Sequence, residues 1–160
     1  MIVIGERING MFTDVKSAIR KKNKEVVQKL ALDQLAAGAN ILDVNVGTAS
    51  AKPGRAMAWL IRTIEEVTDT QLALDSTRLE VIKAGLEAVS NPPMINSTQG
   101  DPERLAEYLP LALENDAWMQ DTSLRMHLVS CNFNYVLVEI CVICGYKIEY
   151  LFTAESTEMR

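Results

Sequence analysis

The sequence predicts an α/β chain built on a parallel sheet, and three observations carry that prediction. Four short apolar runs each end in a polar acid or amide: Ile2-Val3-Ile4 before Glu6, Arg7 and Asn9; Ile41-Leu42 before Asp43 and Asn45; Leu72-Ala73-Leu74 before Asp75; and Met94-Ile95 before Asn96. A segment with helical apolar spacing follows each run. Glycine and proline punctuate the joins, as at Gly38 and Asn91-Pro92-Pro93. Alternation of this kind argues for parallel strands joined by crossover helices, with the polar strand ends gathered on one face.

Residues 2–5 read as the first strand, followed by a basic turn. Lys24 to Ala37 carries apolar residues at Val27, Leu30, Ala31 and Leu35, a helical spacing that Gly38 is placed to end. Residues 40–46 form the second strand. Met57, Leu60, Ile61, Ile64 and Val67 make the next helical stripe, and 71–75 the third strand. Thr77 and Glu80 have capping-box spacing ahead of a helix burying Leu79, Ile82, Leu86 and Val89. After the proline loop, 94–97 is the fourth strand. Asp101-Pro102 reads as a helix start, because proline at the first helical position gives up no needed hydrogen bond, and Leu105, Leu109 and Leu113 mark its buried side. A doubly wound open sheet and a (β/α)8 barrel both fit this order. The loop Gly5-Glu6-Arg7-Ile8-Asn9-Gly10 has bulky residues between its two glycines, so the nucleotide-binding pattern of the open sheet is absent.

With 160 residues, 48% of them apolar, the chain is long enough for one domain with a sizeable core. A net charge of −5 does not suggest a nucleic-acid partner. Met1 leads straight into a strand-like run with no basic segment ahead of it, which is not a secretory pattern. The longest apolar stretch, Tyr135 to Ile143, is interrupted by Glu139 and too short to span a bilayer. Three cysteines give no disulfide framework, and the chain reads as cytoplasmic. Composition changes abruptly near Trp118. Residues 1–117 hold all five prolines but only three of the nine aromatic residues, while 118–160 hold the other six, all three cysteines and the single histidine. Residues 128–152, rich in Val, Ile, Tyr and Cys, read as one or two strands.

Asp75 and Asn96 end neighbouring strands about 4.8 Å apart, within reach of one ligand. A carboxylate accepts two hydrogen bonds and an amide both donates and accepts, which suits a flat heterocycle with an amino-pyrimidinone edge. Capping of the following helices accounts for the two residues equally well. Asp43 and Asn45 are two apart on a strand and therefore share a side, where inward-facing polar groups need partners or a ligand. On the pattern alone, Glu6, Arg7 and Asn9 are better explained by a local ion pair or turn. Gly47 and Thr48 fit either a backbone approach to a ligand or a simple turn. Cys141 and Cys144 have the spacing of zinc and redox sites, but no second pair exists and His127 is remote, so chance spacing is the better account and no metal ligands are assigned. No Ser or Cys motif accompanies His127 as a catalytic base.

The motifs Ile4-Gly5-Glu6-Arg7-Ile8-Asn9, Leu42-Asp43-Val44-Asn45-Val46-Gly47, Leu74-Asp75-Ser76-Thr77 and Met94-Ile95-Asn96-Ser97-Thr98, in this order and spacing, resemble those of the methyltetrahydrofolate:corrinoid/iron–sulfur protein methyltransferases. These belong to the pterin-binding barrels, with dihydropteroate synthase and the folate domain of methionine synthase. The resemblance covers residues 1–117. It implies the first half of a (β/α)8 TIM barrel, usually paired as a homodimer. It implies that Asp75 and Asn96 hold the pterin ring of methyltetrahydrofolate, with Asn9, Asp43 and Asn45 on the floor of the same cavity. The implied reaction passes the N5 methyl group to the cob(I)amide of a separate corrinoid protein, so the cobalt comes with the partner and this chain needs no metal of its own. A tertiary amine leaves poorly, so N5 must be protonated or strongly hydrogen-bonded as its bond to the methyl breaks.

After Asp116-Ala117 the sequence departs from that pattern. A further pterin-binding aspartate on the fifth strand and an asparagine near N5 are expected in the family. Asp121 lacks the surroundings of the first, and the residue acting at N5 is expected beyond the matching region, which leaves the catalytic residue unassigned. Residues 118–160 then read as an unrelated, frame-shifted end on a truncated barrel. Two other readings stand beside the methyltransferase. One is a dihydropteroate synthase-like enzyme, which would need a phosphate-binding start motif; the other is a non-catalytic pterin-binding fragment.

Overall fold

Parallel pairing runs without a break through the first five strands of the computed structural model, which describes residues 2–98, 102–121, 126–130, 135–140 and 151–153. The order is β1 (Ile4–Asn9), α1 (Thr13–Lys21), α2 (Lys24–Ala36), β2 (Ile41–Asn45), α3 (Pro53–Glu65), β3 (Gln71–Asp75), α4 (Leu79–Leu86), β4 (Met94–Thr98), α5 (Pro102–Glu114) and β5 (Trp118–Asp121). Each strand lies beside the next in sequence, β1 to β5, all parallel. This is the order in which a (β/α)8 barrel begins, with helices on one side and the barrel interior on the other. Three further strands, β6 (Met126–Ser130), β7 (Tyr135–Ile140) and β8 (Leu151–Thr153), continue the sheet in antiparallel fashion.

Strand alternation separates two apolar layers. Ile8, Leu42, Val44, Leu72, Leu74, Ile95 and Met119 face the helices and join the main core, where they meet Val15, Ala18 and Ile19 of α1, Val27 and Ala31 of α2, and the α3 stripe Met57, Leu60, Ile61 and Ile64. Each such buried Val, Leu, Ile or Met side chain contributes roughly 1.5–3 kcal/mol. On the opposite face Ile41, Ala73 and Met94 form a smaller cluster with Ile4 and Trp118. This second cluster is an apolar floor beneath the polar strand ends.

Several expectations are corrected. The first strand spans Ile4–Asn9 rather than 2–5, so Glu6, Arg7 and Asn9 lie within it and not after it. A β-bulge is responsible: Gly5 sits opposite Leu42 but Ile8 opposite Val44, so β1 carries one extra residue and changes parity. Ile4 and Asn9 thereby share the inner face. The basic turn is the helix α1, whose Val15, Ala18 and Ile19 are buried at helical spacing. The capping box at Thr77 and Glu80 does not form. The helix begins at Leu79 with Arg78 at its N-cap, and Ser76 Oγ accepts from the Arg78 N–H at 3.1 Å. On α5 the buried side is rotated: Tyr108 and Ala112 face the core, while Leu109 and Leu113 are 36% and 59% exposed. Among the described residues Tyr108 is the bulkiest fully buried side chain, and seating its ring turns the leucines outward.

The fifth strand carries the alternation past the composition change, and the Asp121 backbone lies opposite Thr98. His127 lies on β6, and Cys141, Cys144 and Asp101 fall outside the described residues. Among the described residues no helix is long and apolar enough to cross a membrane.

On α3, Thr63 is 1% exposed and its Oγ1 has no hydrogen-bond partner among the described residues. An orphaned buried hydroxyl costs about 1–3 kcal/mol. Thr63→Val keeps the shape and removes that cost, so the urea midpoint is expected to rise. A lower midpoint would mean that the hydroxyl has a partner.

Candidate functional site

Asn9, Asn45, Asp75 and Asn96 stand in one register row across β1 to β4: Asn9 opposite Asn45, Asn45 opposite Asp75, and Asp75 opposite Asn96. In-register residues of parallel neighbours project to the same face, with strands about 4.8 Å apart. Asp43, two residues before Asn45, lies on that face one layer below. All five residues picked out in the sequence are therefore gathered at the carboxyl ends of the strands. Gln120 continues the row on β5, opposite Asn96.

Hydrogen bonds organise the row into two linked pairs. The Asn45 side-chain amide donates to Asp75 Oδ2. The Asn96 amide donates to Asp43 Oδ1 at 2.7 Å. Asn45 Oδ1 accepts from the Gly47 N–H at 2.6 Å, and Asn9 Oδ1 accepts from the Met11 N–H at 2.9 Å. Asn9 and Asn45 thus use their oxygens to shape their own loops. Among the described residues no donor is given to Asp75 Oδ1 or Asn96 Oδ1, which leaves both as acceptors for a ligand.

The loops that carry Asn9 and Asn45 are locked together. Gly10 N–H donates to the Asn45 backbone carbonyl at 2.8 Å. A Cβ on Gly10 would lie 2.0 Å from the Val46 carbonyl oxygen, so only glycine allows this approach. Gly47, at φ +53°, turns the β2 loop back over Gly10. Of the residues around β1, Arg7 takes no part in the row. Its guanidinium pairs with Asp14 at 2.6 Å and lies over the Phe12 ring at 4.3 Å. The ion pair read from the sequence is present for Arg7. Glu6 instead acts on the row through its charge, which makes both Asp43 and Asp75 weaker acids.

A cleft of about 150 Å³ opens beside the row, walled by Asn45, Gly47, Asp75, Ser76, Thr77 and Arg78. It is smaller than the roughly 300–1,000 Å³ of a typical ligand pocket and accommodates only part of a ligand. A larger groove of about 340 Å³ lies over α2 and α3, between Lys24, Arg55, Trp59, Arg62 and Glu66. It includes none of the acid–amide row.

Asp43 is 2% exposed, and its carboxyl is pushed up to about 7, chiefly by burial. The Asp75 and Glu6 charges push the same way, while the hydrogen bond from Asn96 opposes them. Asp75 is also raised, first by burial and then by Glu6, against the hydrogen bond from Asn45. A raised folded-state value makes the stability from Asp43 fully present below the unfolded value of 3.8 and lost as pH rises through about 7. The melting temperature is expected to fall between pH 5 and pH 8. Asp43→Asn is expected to flatten that fall and to melt higher than the native chain at pH 8. A variant that melts lower at pH 8 would mean that the charged carboxylate is net stabilised in the fold.

Comparison with known proteins bears on this site directly. Residues 8–122 match the family model described as "Pterin binding enzyme". The chain is 34% identical over 111 residues to the methylcorrinoid:tetrahydrofolate methyltransferase of Eubacterium limosum, covering 69% of this chain and 41% of that protein. It is 28% identical over 123 residues to the methionine synthase of Mycobacterium leprae (strain TN), covering 73% of this chain and 10% of that protein. The chain thus spans about two fifths of the first relative's length and a tenth of the second's. The matched residues include the whole acid–amide row, and the chain belongs to the pterin binding enzyme family.

Proposed function

We propose that Asp75 and Asn96 grip the amino-pyrimidinone edge of a folate pterin, and that the site serves methyl transfer between the pterin N5 and the corrinoid of a separate protein. The observation that carries this reading is the register pairing of Asp75 with Asn96, each held by a second polar residue. Such an edge carries N–H donors side by side in one plane. Two acceptors on adjacent strands, whose backbones lie about 4.8 Å apart, can both reach one such edge. Asn45 fixes one Asp75 oxygen and leaves the other for the ligand; Asp43 fixes the Asn96 amide. Both acceptors are thus oriented before the ligand arrives, which lowers the ordering cost of binding. Asn9 shapes the loop above β1 and holds its end beside Asn45.

The corrinoid partner would supply the metal centre that exchanges the methyl group; these residues would hold the pterin so that N5 faces it. The relatives' names, one a methylcorrinoid:tetrahydrofolate methyltransferase and the other a methionine synthase, support folate and corrinoid as the two sides of the reaction. The site sets no direction, since a pterin held in this way serves either sense of transfer. The assignment is tested by calorimetric titration with methyltetrahydrofolate, alongside a transfer assay using reduced cobalamin as methyl acceptor. Saturable binding that requires Asp75, with transfer, supports the full reading. Binding without transfer supports a pterin-binding piece that needs further residues at N5. No binding overturns both.

A further inference from the structure

We propose that Asp43 is a positioning residue that sets which end of the Asn96 amide faces the ligand: carbonyl outward while Asp43 is ionised, and free to turn once Asp43 is protonated. This inference rests on the pterin reading above and adds a pH control to the same site. The geometry is specific. Asp43 is almost fully buried, lies one layer beneath the row, and receives the Asn96 amide at 2.7 Å across two strand spacings. Its neighbour in register is Ala73, and Met94 follows on β4, so no other polar side chain from β3 or β4 competes in that layer.

An ionised carboxylate only accepts hydrogen bonds. It must therefore receive the Asn96 NH2 group, and the Asn96 carbonyl is turned to the ligand side. A protonated carboxyl also donates, and its O–H can serve the Asn96 carbonyl instead. The amide is then equally satisfied when reversed, with its NH2 group presented to the ligand. A ligand edge made of N–H donors meets a donor in that arrangement and binds weakly. Protonation of Asp43 therefore withdraws an acceptor without moving the backbone. The other ionisable groups facing Asp43 are Asp75 on β3 and Glu6 on β1, and their negative charges favour its neutral form. Burial does the same, which places the change near neutral pH.

The test compares methyltetrahydrofolate affinity at pH 8 and pH 6 in the native full chain and in Asp43→Asn, with circular dichroism confirming the variant's fold. With the two orientations equally satisfied once Asp43 is protonated, the apparent Kd of the native chain rises about twofold from pH 8 to pH 6 on account of Asp43. In Asp43→Asn the affinity at pH 8 is already reduced by a similar factor, and the Asp43 step is absent. Any step due to Asp75 protonation persists in the variant and is thereby separated. In the native chain alone, the Asn96 side-chain amide NMR signals should shift with the same midpoint as the Asp43 carboxyl carbon. That second measurement stands even if the variant misfolds. Binding whose pH step survives unchanged in Asp43→Asn, or Asn96 signals that do not titrate, would overturn the inference while leaving the pterin reading intact. No binding at either pH overturns both.

Discussion

Asp75→Ala is expected to lower the affinity for methyltetrahydrofolate by on the order of 100-fold, about 3 kcal/mol. Three losses combine. The ligand's N–H donors lose a charged acceptor, and hydrogen bonds to charged groups are worth about 1.5–3 kcal/mol. The Asn45 amide, which donates to Asp75 Oδ2, loses its partner and its fixed orientation. The cleft beside the row also loses a wall. Stability should change little or rise, because the Asp75 carboxyl is raised by burial and its removal relieves that cost. Affinity and stability are thus expected to move separately. Asp33→Ala, at an exposed position on α2 paired only with Lys29, serves as the control and should bind as the native chain does. Unchanged affinity in Asp75→Ala would remove that carboxylate from the site.

Gly10→Ala is expected to cost more stability than alanine at any other described glycine, about 3 kcal/mol or more. The added Cβ would stand 2.0 Å from the Val46 carbonyl oxygen and 2.6 Å from its carbon. Both are backbone atoms, so no side-chain rotation relieves the clash, and the β1 and β2 loops must separate. That separation would also break the 2.8 Å bond from Gly10 N–H to the Asn45 backbone carbonyl. Because those loops position Asn9 and Asn45, ligand affinity should fall with stability, unlike the result for Asp75→Ala. Chemical denaturation measures the first effect and calorimetric titration the second. A variant as stable as the native chain would mean that the two loops are not in contact.

Much of the site was legible because parallel strands in series end on one face. Asp43, Asn45, Asp75 and Asn96 each follow a short apolar run, and period-two alternation alone placed Asp43 and Asn45 on one side. The partners they chose were not legible. Asn96 reaches back 53 residues to Asp43, and Asn45 reaches 30 residues forward to Asp75, pairings set by sheet register and not by spacing along the chain. The β1 bulge was equally hidden, and with it the inward position of Asn9. The helix α1 did leave a signal, since Val15, Ala18 and Ile19 have helical spacing, but its lysines and arginines read as a turn. On α5 the leucine repeat at every fourth residue marked the packed side correctly at Leu105 but not at Leu109 and Leu113, because a single buried tyrosine outweighed two leucines in deciding which face packs. The ligand class came from the four strand-end motifs read together; none of the pairings within the row carries that information alone.

Asp75 and Asn96 are expected to hold one flat ligand between them at the ends of β3 and β4. Titration of the asparagine-15N-labelled chain with methyltetrahydrofolate, following the side-chain amide signals by NMR, tests this most directly. The signals of Asn45, bonded to Asp75, and of Asn96 are expected to shift together and saturate at a single Kd, while those of Asn23 and Asn91 stay in place. Movement of Asn23 or Asn91 with Asn45 and Asn96 unmoved would put the ligand elsewhere and contradict the account.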